Sequence, residues 1–425
     1  MEKHLPLTPK ALYQVCDTDL LPFRTTETLE SFSGFFGQER ALEAMGFGVG
    51  MRRPGYNLFV MGNPHTGRFS FALENLKGIA KKEKKPSDWC YLNNLQDGRY
   101  PISVELPAGK ATQLRRDNRR LIETLMTELP VAFENPAYLR RKSKVERDFN
   151  RHYDQAIEQV ERAAREHSIA LYRDAGSVGF TPVAEGQAMD EAMFSQLPEE
   201  VRDAFNRNIS DLEDYLNESL TEMPQWRREA AEKMKVLDRD TARQTISPLI
   251  QAVKEKYSHI TGLSDYFNQL ESYIVKNSAD LLGDEKLLEA RSEVGKRNLL
   301  DEMFGVNLLV DNNKTKGQPV VFEAHPSYKN MFGRVEYNSD MGAMVNNFQM
   351  IRPGALHKAN GGYLVLEAEK LLEQPYVYSA LKRALKAHEI GIESPISDYT
   401  GISTISLSPA PIPLHVKIVL IGGRD

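Results

Sequence analysis

The feature that most constrains the fold of this 425-residue chain is an interruption of its pattern. Residues 1–109 and 301–425 alternate short apolar segments with helical patterns, as expected of strands joined by helices. Residues 110–300, between them, are long, charged and helical in pattern. Because the first part alone has too few strands for a stable sheet, we expect both outer parts to build one domain. The predicted fold class is α/β, a parallel sheet interrupted by a long helical insertion.

The insertion carries apolar residues three or four positions apart, in residues 145–164, 201–220 and 226–257. Helices with such stripes bury them against one another, which predicts an antiparallel, coiled-coil-like arm or a small bundle. A globular helical domain remains the alternative. The β-forming residues at 169–183 predict a hairpin at the tip of the arm.

Short apolar segments predict the strands of the α/β part at residues 57–61, 89–92, 306–310, 320–323, 363–366 and 416–421. We expect the first two to be parallel neighbours joined by a helix at 68–82. A single helix is predicted at residues 371–388. Together these elements predict one sheet with helices on its faces.

The segment at residues 62–69 lies between a predicted strand and a helix, as a phosphate-binding loop does. In such loops backbone N–H groups wrap the phosphates, a lysine bridges the outer ones, and a hydroxyl binds magnesium. Here Arg68 replaces the lysine and Phe69 replaces the hydroxyl residue, and arginine is not geometrically equivalent to lysine. Gly62 and Gly67 alone are a weak signal, so an ordinary strand-to-helix turn remains the alternative.

A second motif supports nucleotide binding. The apolar segment at residues 363–366 ends at Glu367, as required of the acid that holds the magnesium of a bound nucleotide. A second carboxylate normally follows and polarises the attacking water. Ala368 cannot do this, and Glu369 would face the other way if the strand continued.

Residues 37–62, 352–372 and 411–422 resemble the atypical ATPase half of Lon-related proteases. The most specific part is GALHKANGG, at residues 354–362. The resemblance implies an AAA+-like domain that carries a helical insertion and precedes a serine-lysine protease domain. It also implies hexameric rings, nucleotide between subunits, and polypeptide substrates drawn through a central pore.

The resemblance assigns residues position by position. It places the magnesium-holding acid at Glu367, leaves Ala368 where the water-activating glutamate is missing, and implies a sensor strand at residues 416–421. The adenine border and the phosphate loop correspond to Gly37, Gln38, Gly62, Thr66, Gly67 and Arg68.

Other residues are candidates for roles that need a ring of subunits. Arg383, on a predicted helix, is a candidate arginine acting in trans on a neighbouring subunit's nucleotide, with a solvated side chain as the alternative. Phe332, Met341 and Met344 are candidates for a pore loop, since flexible apolar side chains can grip an unfolded chain. Core packing is the alternative for Phe332.

Three functions remain open on the sequence. The first is a Lon-related module that engages polypeptides for proteolysis, with weak or lost ATP hydrolysis because Phe69 removes the magnesium hydroxyl and His65 crowds the loop. The second is a working ATP-dependent unfoldase half, in which Arg68 and Glu367 suffice with ATP and Mg²⁺ as cofactors. The third is a P-loop, coiled-coil protein that organises DNA.

Enzyme activity of the chain itself is left open. The resemblance implies an ATP-dependent serine-lysine endopeptidase, yet no serine here can be assigned as its nucleophile. We therefore expect the protease domain beyond residue 425 or in a separate chain.

Composition narrows the partners. A net charge of −5 without a long basic block argues against nucleic acid. No apolar run is long enough to span a membrane, and no CxxC or HExxH motif offers a metal site. Two cysteines, Cys16 and Cys90, and the absence of a signal-peptide pattern predict a cytoplasmic protein.

Overall fold

The computed structural model describes residues 7–13, 15–30, 35, 37–53, 55–174, 177–184, 187–283, 293–340, 343–392 and 407–424. In these ranges the strands are β1 Leu58–Met61, β2 Asp88–Leu92, β3 Ile102–Leu106, β4 Ile169–Asp174, β5 Ser177–Ala184, β6 Gln187–Ala188, β7 Val306–Val310, β8 Val320–Glu323, β9 Arg334–Val335, β10 Asn338–Asp340, β11 Ala343–Val345, β12 Ile351–Arg352, β13 Tyr363–Glu367, β14 Glu389–Ile390, β15 Ile412–Pro413 and β16 Lys417–Gly422.

The α-helices of the same ranges are α1 Pro9–Leu12, α2 Glu39–Gly50, α3 Arg68–Ala80, α4 Lys110–Glu134, α5 Pro136–Glu166, α6 Glu191–Ser195, α7 Glu199–Ser219, α8 Met223–Lys256, α9 Leu263–Lys276, α10 Ser278–Gly283, α11 Glu293–Phe304, α12 Tyr328–Phe332, α13 Ala355–Lys358, α14 Ala368–Glu373 and α15 Val377–Ala387. Within the described ranges, no helix is both long and apolar enough to cross a membrane.

A four-stranded parallel sheet forms the centre of the α/β part, in the order β1-β16-β13-β8. Val419 of β16 pairs with Leu58 on one side and with Val365 of β13 on the other. The sheet therefore joins residues before 110 to residues after 300, as the sequence predicted. Helices α2 and α3 cover one face and α12 to α15 cover the other, so the middle strands are buried on both sides.

One predicted pairing is wrong. Strand β2 does not neighbour β1; it lies in a separate sheet of order β3-β2-β7, antiparallel to both partners. The segment at 306–310, expected in the parallel sheet, is strand β7 of this second sheet. All five residues of β2 are buried, and a fully buried strand has the same apolar pattern in either kind of sheet.

The distal part of the insertion is an antiparallel pair of long helices, α5 and α8. The Tyr138 hydroxyl donates to Asp238 Oδ1 at 2.8 Å, and further out the rings of His152 and Trp226 lie 5.7 Å apart. Residue numbers rise along one helix as they fall along the other. This part has the predicted arm-like shape.

The arm ends in a small mixed layer. Strands β4 and β5 pair antiparallel in the segment where the sequence predicts a hairpin. Ile169 of β4 packs with Ala164 of α5 and Leu212 of α7, all buried. The hairpin is thus held by both helices.

The base of the insertion is globular, which is the alternative that the sequence left open. Helices α4, α8, α9 and α11 share one core with the three-stranded sheet. Fully buried members of this base core include Cys90, Leu106, Leu125, Phe267 and Phe304. Helices α4 and α9, which lie outside the three stripes, supply much of it.

The predicted helix at 371–388 is two helices, α14 and α15. Gln374 is extended, with φ −86° and ψ 119°, because the following Pro375 disfavours helical backbone at the residue before it. Tyr376 then has a positive φ of 65°. Strand β13 also ends at Glu367 and a helix starts at Ala368, so Glu369 lies on no continued strand.

Candidate nucleotide site at the carboxyl edge of the parallel sheet

Three segments that the sequence singles out meet where the parallel strands end. Strand β1 leads into the glycine-bracketed loop at Gly62, β13 ends at Glu367, and β16 ends at Gly422. The N–H of Gly62 donates to the Gly422 carbonyl oxygen at 3.3 Å, which joins the first and last of these segments. Carboxyl ends of parallel strands are the usual place for a ligand in such folds.

The loop between β1 and α3 has a glycine in a left-handed conformation just before a helix, as expected of a phosphate loop. Gly67 has a left-handed φ of 80°, which glycine adopts without a steric penalty, and it precedes the first turn of α3. The Thr66 hydroxyl donates to the Asn63 carbonyl oxygen at 2.8 Å and closes the loop. The first N–H groups of a helix have no partner within the helix, so they can take a phosphate. His65 also has a positive φ, 64°, at a position where a glycine would be unstrained.

Arg68 does not extend into this loop. Its Nη1 donates to the carbonyl oxygens of Gly62 and Gly422, at the ends of β1 and β16. The side chain is half-buried and connects two neighbouring strands. We call this contact the Arg68 clasp. In it, the cation at the lysine position is bonded to the protein's own backbone.

Phe69 takes the position of the magnesium-binding hydroxyl and packs inward. Its ring meets Phe322 of β8 edge to face, with ring centroids 4.6 Å apart. Ser70, which follows, is exposed. The start of α3 therefore gains an apolar contact where a magnesium-binding loop has an oxygen ligand.

Glu367 is engaged by a neighbour that the sequence reasoning missed. Lys370 Nζ lies 2.9 Å from Glu367 Oε1, one turn along α14. A lysine three residues after the acid was visible in the sequence, but its meaning depended on a helix starting at Ala368. Ala368 lies beside the end of β16, since a Cβ added to Gly422 would be 3.1 Å from the Ala368 Cβ. Where the second carboxylate is expected, the chain therefore has only a methyl group.

Gly37 and Gln38 lie just before α2. Gly37 has a φ of 70°, and the Gln38 carbonyl oxygen accepts the N–H of Leu42 at 3.0 Å. Phe35 packs edge to face on Phe71 of α3, with centroids 5.0 Å apart, which brings this segment beside the start of the helix. The proposed adenine border and the loop therefore belong to one neighbourhood.

The remaining described candidates lie on other elements. Phe332 is 3% exposed in the core under α12 to α15 and lies against Tyr328, which is the core-packing alternative that the sequence left open for it. Met344 pairs with Ser339 in the β10–β11 hairpin, and Met341 lies outside the described residues. Arg383 is exposed on α15.

The parallel sheet, the loop and the acidic strand end define the class: an AAA-like α/β domain with a helical insertion. The sequence model of the LonB-like AAA domain matches residues 316–425, which include β8, β13 and β16. That of the Lon-like LonC helical domain matches residues 88–121, from β2 into α4. Both models describe domains of Lon-related proteins, so these two parts of the chain are similar to that family. No curated protein matches the sequence.

Proposed function

We propose that this chain is the AAA-type module of a Lon-related protease that engages polypeptides while its own nucleotide site has lost ATP hydrolysis. The Arg68 clasp is the observation that carries the second half of this proposal. A cation bonded to two strand-end carbonyls is not free to bridge the outer phosphates of ATP.

Two effects weaken nucleotide binding. Hydrogen bonds to a charged group contribute about 1.5–3 kcal/mol each, so releasing Arg68 from its carbonyls opposes its use on a phosphate. The inward Phe69 ring also leaves the magnesium ion without its hydroxyl ligand. What remains is the backbone of Gly62 to Gly67 and the start of α3, which supports weak binding of ATP.

Hydrolysis needs a group that orients the attacking water. General-base assistance contributes roughly 10²–10⁴-fold to a rate, and Ala368 supplies none. Glu367 would hold the magnesium of a bound nucleotide, but Lys370 competes for its carboxylate. These departures favour a site that binds without turnover over the working ATPase.

Polypeptide substrates would be bound by parts of the AAA-like domain outside the nucleotide site. The similarity to Lon-related domains supports polypeptide substrates and a hexameric ring, with proteolysis carried out by a protease domain in a continuation of the chain or in a partner. The β10–β11 hairpin, which carries Met344, is the element that we propose for contact with the polypeptide.

Calorimetry with ATP and Mg²⁺, together with a phosphate-release assay, tests the proposal. We expect weak binding and a release rate equal to that of the Glu367→Gln variant, which removes the magnesium-holding acid. Steady turnover in the parent chain that disappears in Glu367→Gln would instead establish the working ATPase.

A further inference from the structure

The opposite edge of the parallel sheet carries a second cleft, far from the phosphate loop in the direction of the strands. Its volume is about 650 Å³, within the range of small-molecule sites. The starts of β13 and β16, at Tyr363 and Lys417, form its floor, whereas Glu367 and Gly422 end the same strands at the other edge. The end of α2 and the end of α15 form its walls.

Two of the cations in this cleft serve the fold. Lys417 Nζ donates to the carbonyl oxygens of Gly48, Val49 and Met51, at 2.6, 3.1 and 2.5 Å, and so caps the end of α2. Arg52 is paired with Glu83, with 2.9 and 3.1 Å between its Nη2 and the two carboxylate oxygens.

Three further side chains line the cleft as unused donors. No hydrogen bond joins the side chain of Arg53, His388 or His415 to any residue that the structure describes. Among the described residues that line the cleft, Glu83 is the one acid, and Arg52 already pairs with it. Within this part of the chain, the cleft therefore offers cationic and N–H donor groups that no protein carboxylate receives.

The hydroxyl of Tyr363 is a further polar group in the cleft. The residue as a whole is 6% exposed, but its hydroxyl oxygen is open to solvent and makes no hydrogen bond within the described part of the chain. The pKa of Tyr363 is raised by burial and by Glu83 and lowered by Arg52, which places its hydroxyl among these cleft residues.

Small residues keep the cleft open. Gly46 and Gly50, one turn apart at the end of α2, line it, and a Cβ added to either would meet nothing within 4 Å. Side chains at these positions would project into free space, and most residues favour a helix more than glycine does. The cleft is thus kept free of side chains where larger ones would fit.

We infer that this cleft binds a small organic anion, through Arg53, the two histidines and the Tyr363 hydroxyl. The recognised group is an oxyanion, a carboxylate or a phosphate, and Tyr56, whose ring is half exposed at the rim, adds an apolar surface for the rest of the molecule. This inference does not depend on the proposed function, because it uses the other edge of the sheet.

Calorimetry on the full chain with citrate and with AMP separates the two sources of an oxyanion. We expect at least one probe to bind saturably, and Arg53→Gln to weaken it about tenfold or more, as expected for a lost charge-assisted bond. Gly50→Leu should weaken it by filling the cleft. Gly78→Leu, at an exposed helical glycine of α3 that also has open space, is the matched control and should bind as the parent does.

A further variant distinguishes binding in the cleft from binding at the phosphate loop, on the other edge of the parallel sheet. Arg68→Gln, at the phosphate loop, should leave binding of the probe unchanged. Binding that is lost in Arg68→Gln but kept in Arg53→Gln would assign the anion to the phosphate loop and overturn the inference. Failure of both probes to bind a folded parent chain would overturn it as well.

Discussion

The parallel sheet and the β3-β2-β7 sheet are built from the same outer parts of the chain but serve different purposes. The parallel sheet is covered by helices on both faces and carries the candidate nucleotide site at its carboxyl edge. The antiparallel sheet has one face in the base core of the insertion and the other against residues such as Phe348 and Ile412. The difference shows that the helical insertion is anchored on a sheet of its own.

Asp88 stands at the junction between that sheet and the insertion. Its buried carboxylate accepts the N–H of Ala111, at the start of α4, at 3.1 Å, and the N–H of Asn312, just after β7, at 2.8 Å. One side chain thus ties together a strand before the insertion, its first helix and the chain that follows it. The base of the insertion is part of the α/β body, and only the distal arm is an appendage.

The largest effect on folding should come from deleting parts of the insertion, and we compare a long deletion with a shorter one. Deleting residues 141–282 removes α8 and α9 from the base core, so we expect the chain to lose its cooperative unfolding transition by circular dichroism. Deleting residues 146–231, with a short flexible linker, keeps the Tyr138–Asp238 contact and should leave that transition within a few degrees of the parent.

The shorter deletion also tests what the distal arm does. If the distal arm takes part in capture together with the β10–β11 hairpin, the shorter deletion should reduce capture of a reduced, carboxymethylated protein in a pull-down. A folded short-deletion variant that captures this protein as the parent does would make the arm a spacer. Loss of folding in that variant would contradict the division into base and appendage.

Asp88→Asn should have the next largest effect, because the amide has one acceptor oxygen and turns an NH₂ group toward buried N–H donors. We expect the free energy of unfolding at neutral pH to fall by about 1–3 kcal/mol in urea denaturation. Thr112→Ala, at an exposed hydroxyl on the same helix turn that bonds Asp311, is the control and should change it much less.

The pH dependence of the unfolding free energy, compared between the parent and Asp88→Asn, gives a second test of the role of Asp88. Burial raises the pKa of Asp88, against the opposing effect of its backbone N–H partners. Because the pKa of Asp88 is raised in the folded state, its protonation stabilises the fold at pH values below the ordinary pKa, near 3.8. This stabilisation is lost as the pH rises through the raised pKa. The stability gap between parent and Asp88→Asn should therefore narrow as pH rises through this window, and a gap that widens would contradict the assignment.

The smallest effect is expected in the arm. Tyr138→Phe removes the hydroxyl that bonds Asp238, which should cost about 0.5–1.5 kcal/mol. Hydrogen exchange of amides in the middle of α5 should quicken, while amides of β13 and β16 should not. Equal quickening in both regions would mean that arm and parallel sheet open as one unit.

The sequence predicted the elements of the fold better than their partners. The four parallel strands and the hairpin segment follow from short-range pattern, but the pattern of β2 is compatible with either sheet. The base core depends on contacts between α4, α9 and β2 that are far apart in sequence. Periodicity within one segment carries no information about them.

The candidate site shows the same division. The positions of Gly62, Gly67 and Glu367 follow from motif spacing between a strand and a helix. The Arg68 clasp could not be predicted, since Gly422 lies 354 residues further along the chain and accepts through its backbone. The Lys370 contact required knowing that β13 ends at Glu367.

The most direct test of the central claim is Arg68→Ala, measured for both stability and ATP affinity. If Arg68 is a clasp, the free energy of unfolding should fall by about 1–3 kcal/mol and the affinity for ATP should stay within roughly threefold of the parent. Arg116→Ala, at an exposed arginine of α4, is the control for both measurements. Unchanged stability with a loss of ATP affinity of about tenfold or more would show instead that Arg68 binds phosphate, and would contradict the account.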